Sequence, residues 1–465
     1  MDQQREVYRN FAFIGSNLFM VFGDLLKMNN MYQFSLASFI KLFNQALETR
    51  PQASSPQEKL NKLSHSLIRL TYSEVGRSLF KADRLTFSMH FVRGIFPDMF
   101  QKNEWEFFMG QTSESSSNAR LPRWLAQDRA EIYGMFCSTF AMLAQQLQLE
   151  NDGMWGSFGQ SETPEQEFPQ QVVQRLTAFQ KCLLIQVLRP DRLETAMNLF
   201  IKDAFGGETV QARQFVLKNL YEKETTCHDP ILFIISPGSD PSAELQQFAE
   251  NVVGRQGYHE LAMGGGQNDI AIETMKQAAQ KGEWVCLKNL HLVTPWLSVL
   301  EKEFRMLKPD PKFRLWLTSE PHLKFPSILL QSSLKITYET PPGVRNNLTR
   351  TFNYVCPQGT QHQNAQQTQL LFVLSWFHAL LQERRTYIPQ GWVKYYEFSY
   401  GDLMAGEKII EGLMNEIKGG NIPWQKVYGI LENAIYGGRI DNEFDMKVLR
   451  TYMRQIFSDA TIQGK

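Results

Sequence analysis

Two textures divide the chain. Between residues 5 and 150, apolar positions recur at helical spacing: Phe11, Ile14, Leu18, Val21, Phe22 and Leu25, then Phe34, Phe39, Leu42, Phe43 and Leu47. The polar stretch TRPQASSPQEK separates these from a third amphipathic run, Leu60 to Phe91. GQTSESSSNARLP (110–122) predicts a mobile surface loop, and NDGMWGSFGQSETPEQE closes the region. Helical spacing returns from Phe168 to Leu220, with a break at LRPDRL.

After Pro230 the pattern alternates. Short apolar runs predict strands at 231–236, 258–263, 284–290, 313–319 and 334–339, with helices between them at 243–254, 267–281, 294–307 and 324–332. Five strands alternating with helices, most of them apolar on both faces, predict a parallel sheet covered by helices, an α/β nucleotide-fold core. Beyond TPPGVRNN the helical period resumes at 370–384, 400–417, 424–436 and 444–456. The fold class is therefore α/β with large all-α regions. No internal repeat shows at a fixed period.

The first predicted strand runs into ISPGSDPSAEL (235–245) and then a helix, the arrangement in which a helix N-terminus often cradles phosphate. Laid over GxxxxGK[ST], Ser236 takes the place of the first glycine and Pro241 that of the second. Ser242 stands for the lysine and Ala243 for the metal-binding hydroxyl. Pro241 also removes a backbone N–H. In the third strand, Trp284–Leu287 leads to Lys288 and Asn289, where an ATPase needs two acids. A cation where Mg²⁺ belongs is a charge reversal. Thr318, Ser319 and Glu320 stand at the tip of the fourth strand.

These substitutions predict no catalytic, cofactor-binding or metal-binding residue in this region. The loop is expected to be a turn in which Ser242 caps the helix, with Glu244 and Glu250 suited to its dipole and its solvent face. A lysine at position 288 needs a partner, and Asp240, Glu320 or the loop carbonyls are the expected ones.

Other motifs are weaker. GGGQN (264–268) lacks the GxGxxG frame and reads as a loop. The eight histidines include no HExxH, which argues against a metal site. Cys286 sits among apolar neighbours and reads as core. The Arg pair of QERRTY reads as a solvated helix end, and Trp392, Tyr395, Tyr396, Phe398 and Tyr400 as core packing, with an interface as the alternative for each.

Composition narrows the class further. In 465 residues, 48 Lys plus Arg balance 48 Asp plus Glu, so no net field draws the chain to nucleic acid or an anionic membrane. Cys137, Cys182, Cys227, Cys286 and Cys356 form no CxxC and predict reduced, mostly buried thiols in a cytosolic compartment. The N-terminus has no apolar signal-peptide core, and no apolar run is long enough to span a bilayer. So abrupt a start suggests a piece of something longer.

MYQFSLASFIKLF, LRPDRL, ISPGSDPS, WVCLKNLHLV, FRLWLTSEP, LLQSSLKITYETPPG, YIPQGW and YGGRIDNEFD, in this order, resemble the C-terminal part of the AAA+ motor ring of dynein heavy chains. The resemblance runs from about residue 7 to 456. LFKADRLTFSMHFVRG with NEWEFF, QERRTYIPQGW and ENAIYGGRIDN is most similar to the cytoplasmic dynein 2 class, with axonemal heavy chains as the rival.

The resemblance implies that 1–150 is the helical end of the fifth AAA+ module, with the last turns of its strut. It makes 151–340 the large α/β subdomain of the sixth module with a degenerate nucleotide site, and 341–465 its helical lid. Residues 324–333 contain no arginine, so no arginine finger is expected there. The segment would be a non-catalytic mechanical part of a microtubule motor ATPase for retrograde intraflagellar transport, found in the cytoplasm, cytoskeleton and cilium. ATP and Mg²⁺ would belong to other modules of the intact parent. The implied partners are neighbouring AAA+ modules and, through the parent, intermediate and light intermediate chains and microtubules. A regulatory ATP-binding domain is the alternative, resting on fold alone.

Overall fold

The computed structural model describes residues 2–49, 51–52, 55–111, 120–207, 215–237, 239–339, 343–356, 365–384, 387, 391–396, 398–417 and 422–462. Most of the predicted 110–122 loop lies outside the described residues. The chain forms two compact units, Met1–Leu220 with Leu323–Ile336, and Tyr221–His322 with Thr337–Lys465.

The first unit is helical. Its early helices, Asp2–Asp24, Leu36–Glu48, Pro56–Gly76 and Lys81–Ile95, follow the predicted apolar stripes. Ser35 and Ser55 start the second and third, their hydroxyls accepting from the N–H groups of Ser38 and Glu58. Phe22 meets Phe39 edge to face, 5.5 Å between ring centroids. The LRPDRL break separates helices Ala178–Leu188 and Leu193–Ala204. Arg189 there donates to the carbonyls of Gly159 and Ser161, and Arg192 pairs with the buried Glu165 carboxylate.

Lys335 is a buried cation of this unit, 2% exposed. Its ammonium donates to the carbonyls of Leu330 (2.7 Å) and Ser333 (3.3 Å), at the end of helix Ser327–Ser332, and lies 4.3 Å from the Phe34 ring centroid. These partners are carbonyls and a ring face rather than carboxylates, and burial pushes the pKa down to about 7.

Five parallel strands make the sheet, in the order β2-β3-β4-β1-β5: β1 Ile231–Ile235, β2 Tyr258–Ala262, β3 Trp284–Lys288, β4 Arg314–Ser319 and β5 Leu334–Tyr338. β1 and β4 are buried throughout, whereas edge strand β2 is part exposed, as a one-sided edge must be. The register pairs Ile234 with Ser319, Cys286 with Trp316 and Ala262 with Lys288, which sets the carboxyl ends of the strands side by side.

Element ends shift where backbone chemistry overrides the apolar pattern. β3 stops at Lys288 because Asn289 turns to φ 59°. The helix predicted over 294–307 is a 3₁₀ stretch, Leu290–Trp296, containing Pro295, followed by a helix over Leu297–Met306. The helix predicted over 424–436 is α-helical to Ile430 and then widens into a π turn, Leu431–Ile435.

The helical part of the second unit contains an element the apolar pattern did not predict, Val344–Val355. It begins at Gly343 with φ 88°, and Glu383 Oε2 accepts from Gly343 N–H (3.1 Å) and Asn347 Nδ2 (3.3 Å). Helices Ala365–Arg384, Tyr400–Ile417 and Glu443–Ile456 enclose a core of Phe377, Trp392, Tyr396, Phe398 and Tyr436. Core packing thus accounts for four of the five aromatics at 392–400: Trp392, Tyr396 and Phe398 are buried and the half-buried Tyr400 packs against this core, while Tyr395 is exposed. Arg384 is not a solvated helix end. Its guanidinium donates to Tyr452 Oη and the Gly391 carbonyl, and it lies over the Tyr452 ring; Arg385 lies outside the described residues. The thiols also differ from expectation: Cys182 and Cys286 are buried, but Cys137, Cys227 and Cys356 are half-buried.

Candidate functional site at the loop after the first strand

The loop 236–241 leaves β1 at its carboxyl end. Ser236 N–H donates to Tyr338 O (3.1 Å), extending the sheet by one bond. The Ser236 and Ser239 hydroxyls share a 2.8 Å hydrogen bond, and Ser239 N–H returns to Ser236 O at 2.9 Å, closing a tight turn. Gly238 lies outside the described residues.

The helix over Ser242–Val252 begins with Pro241 in the cap position, so Ser242 is not the cap. Asp240 takes that role. Its Oδ1 accepts from Ser242 N–H at 2.9 Å and from the Ser242 hydroxyl, which satisfies a free helix donor with a full negative charge at the positive end of the dipole. The physical reason is reach: once proline fixes the cap backbone, the side chain two residues before Ser242 is the one placed to accept.

Lys288 extends into this loop. Its ammonium donates to Asp240 Oδ2 at 2.8 Å and to Glu260 Oε1 at 3.0 Å. Of the expected partners, Asp240 is correct and Glu320 is not. The Glu320 N–H faces His291 Nδ1 (3.1 Å), and the Glu320 carbonyl accepts from the Ser319 hydroxyl. Glu260, the partner missed in the sequence, stands on edge strand β2 two residues before Ala262, the register mate of Lys288. Residues two apart share a face, so Glu260 and Lys288 meet diagonally. Tyr258 Oη donates to Glu260 Oε2 at 3.1 Å and steadies it.

The electrostatics follow from this triad. Burial alone would raise the Asp240 carboxyl, but the hydrogen bond and charge of Lys288, with help from Ser242, hold it below the ordinary carboxylate range. Burial alone would lower the Lys288 ammonium, but Asp240 and Glu260 hold it above the ordinary lysine value. Both groups are therefore charged at neutral pH. An ammonium here repels a divalent cation and occupies the carboxylates that would otherwise attract one.

The rest of the site is ordinary structure. Asn289 N–H donates to the buried Thr318 Oγ1 at 3.3 Å. Glu244 accepts from Tyr338 Oη, and Glu250 from Gln246 on the exposed face. Cys286 is fully buried, and burial pushes its thiol up to about 12, away from thiolate chemistry. Gly264, Gly265 and Gly266 have φ of 139°, 60° and 83° and form the loop after β2. Among the described residues no group of three or more His, Cys, Asp and Glu is placed to hold a metal, and no helix is long and apolar enough to cross a membrane.

Residues 226–337 match the dynein heavy chain region D6 P-loop domain, and 367–465 match the dynein heavy chain AAA lid domain. The chain is 49% identical over 469 residues to cytoplasmic dynein 2 heavy chain 1 of Tripneustes gratilla, which covers 100% of this chain and 11% of that relative. The chain belongs to the dynein heavy-chain family. It is 46% identical to cytoplasmic dynein 2 heavy chain 1 of Homo sapiens over 472 residues, 99% of this chain and 11% of the relative. Identity to dynein axonemal heavy chain 10 of Homo sapiens is 31% over 474 residues, 99% of this chain and again 11% of the relative. The chain thus spans about a ninth of the length of these dynein relatives. As a dynein AAA segment it implies neighbouring modules of the same heavy chain. The Lys288 triad lies within the stretch that matches the dynein P-loop domain.

Proposed function

We propose that this chain is a non-catalytic, mechanical segment of a dynein 2 type heavy chain, and that its loop after β1 binds no nucleotide. The observation that carries the reading is Lys288, held by Asp240 and Glu260 at the strand end where a nucleotide site needs acids and a metal. Ser242 stands where the phosphate-binding lysine would be, and Pro241 withholds an N–H from any cradle. Identity of 46–49% along the whole chain supports the dynein 2 class over the axonemal class at 31%.

On this reading, 1–150 ends the fifth AAA+ module, 151–340 is the large subdomain of the sixth, and 341–465 is its lid. The intact parent is an ATP-driven, minus-end-directed microtubule motor for retrograde intraflagellar transport, in the cytoplasm and cilium. Its ATP and Mg²⁺ sit in other modules, and its intermediate chains, light intermediate chains and microtubules meet it outside this segment. The segment passes strain by rigid-body shifts of packed subdomains.

Two measurements test the reading. Calorimetric titration of the 465-residue chain with Mg-ATP should show no saturable heat; binding tighter than about 100 µM, roughly 5.5 kcal/mol, would overturn the silent site. Exchanging this segment for its counterpart in the cytoplasmic dynein 2 heavy chain of Chlamydomonas reinhardtii, 42% identical, should preserve retrograde train velocity. Trains stalled at the ciliary tip, with the heavy chain at normal abundance, would overturn the class assignment.

A further inference from the structure

Arg350, in the middle of helix Val344–Val355, reaches three other elements of its own unit. Its guanidinium donates to Tyr338 Oη, at the last residue of β5, and lies 3.8 Å from Glu244 Oε1, in the first turn of helix Ser242–Val252. Tyr338 Oη donates in turn to Glu244 Oε1 at 2.7 Å. The guanidinium carbon is 5.1 Å from the Tyr338 ring centroid and 5.1 Å from that of Tyr400, the first residue of helix Tyr400–Ile417. A single side chain thus joins the helix that follows the loop, the last strand and two helices of the lid.

An exposed ion pair at this distance would hold little together. Here the cation lies against two aromatic rings, and its edge N–H enters a relay, arginine to tyrosine to carboxylate. Tyr338 is 6% exposed, so its hydroxyl needs both partners. A planar guanidinium can lay its faces on rings while its edge donates; an ammonium has no flat face to stack between two rings. The same helix is fixed at its start by Glu383, so one end is capped and the middle is gripped.

We propose that Arg350 is a latch that holds the helical lid on the sheet through the chain's own side chains, making no demand on a ligand. The latch sets the attitude of helices Val344–Val355 and Tyr400–Ile417 relative to the helix that follows the loop. It is independent of the assignment to dynein 2 and of whether the loop binds nucleotide.

Hydrogen exchange on the full 465-residue chain tests it. Arg350→Ala should speed exchange about tenfold or more in 344–355 and 400–417 while leaving β1 and β3 unchanged. Arg350→Lys should behave like alanine, because charge without stacking does not rebuild the relay. Wild-type protection in Arg350→Lys would reduce the contact to a simple charge pair and overturn the latch, as would unchanged or uniformly raised exchange in Arg350→Ala. Should that variant fail to fold, Tyr338→Phe keeps the ring and removes only the shared hydroxyl. It should raise exchange in the same two segments, and no rise there overturns the proposal.

Discussion

Lys288 Nζ donates to Asp240 Oδ2 at 2.8 Å, tying the end of β3 to the loop that leaves β1. The pair is half-buried rather than buried: the Lys288 side chain is 17% exposed and that of Asp240 40%. Lys288→Met keeps the stem and strands two carboxylates. The expected cost is about 1–2 kcal/mol, below the roughly 3–5 kcal/mol of a fully buried pair, because water reaches the acids. The pH profile identifies the cause. Asp240 is held below its ordinary value of 3.8, so its contribution is present above that pH and is lost as pH falls through the depressed value. Lys288 is held above 10.5, so its contribution is present below that pH and is lost as pH rises through the elevated one. Denaturant melts of both proteins should therefore differ by a constant amount from pH 5 to 9. A difference that varies inside that window, or no difference, contradicts the pairing.

Lys335 predicts the opposite sign. Its folded pKa of about 7 lies below the ordinary 10.5, so the unfolded chain binds more protons between those values. Stability should then rise with pH from about 7 to 10.5, by up to a few kcal/mol for a fully buried group. Lys335→Met removes the titration and should flatten that slope while stabilising the chain at pH 7. Thermal melts of both proteins across the range decide it; parallel slopes would mean that the carbonyls of Leu330 and Ser333 and the Phe34 ring offset the burial completely.

Two adjacent glycines offer a matched pair. A methyl group added at Gly437 would sit 1.6 Å from the Glu432 carbonyl oxygen, whereas at Gly438 its nearest neighbour is 3.7 Å away. The close approach follows from the π turn Leu431–Ile435, which directs that carbonyl at the next turn of chain. Gly437→Ala should cost about 3 kcal/mol or more, with backbone displacement, and Gly438→Ala should cost less than about 0.5 kcal/mol. Equal melting temperatures for the two variants would refute this packing.

The first unit leaves large apolar side chains in solvent, among them Tyr8 (58%), Phe13 (62%) and Met20 (66%) on its first helix and Leu36 and Ile40 on the next long one. The isolated chain should therefore self-associate at micromolar concentration in light scattering. It should also stay in the supernatant when microtubules are pelleted. A monodisperse chain that co-sediments with microtubules would contradict both statements.

The sequence was most informative where burial is one-dimensional. Five runs bounded by turn residues located five strands to within two residues, most easily for β1 and β4, since a strand buried on both faces needs nothing more than an apolar run. It was least informative where a partner comes from elsewhere in the fold. Helix Val344–Val355 sets Val344, Leu348, Phe352 and Val355 at helical spacing, but this sparse stripe lies in an otherwise polar stretch, and the helix start is fixed by Glu383 from a later helix. Glu260 became visible as a partner only once β2 lay beside β3 in a known register. Asp240 outranked Ser242 as the capping side chain because Pro241 occupies the cap, a preference set by backbone geometry rather than residue type. Arg384 looked solvated until Tyr452, 68 residues later, supplied its ring and hydroxyl.

Asp240 serves three donors at once, the Lys288 ammonium and the N–H and hydroxyl of Ser242, the first residue of the helix that follows. A gain of phosphate binding is thereby hindered at the level of single substitutions. Ser242→Lys would set a second ammonium against a carboxylate already in use. Removing Lys288 first would leave Asp240 and Glu260 without the cation that reconciles them. Either single change should therefore cost stability. Charge balance alone is enough to hold these three residues together, because removing any one leaves the others uncompensated.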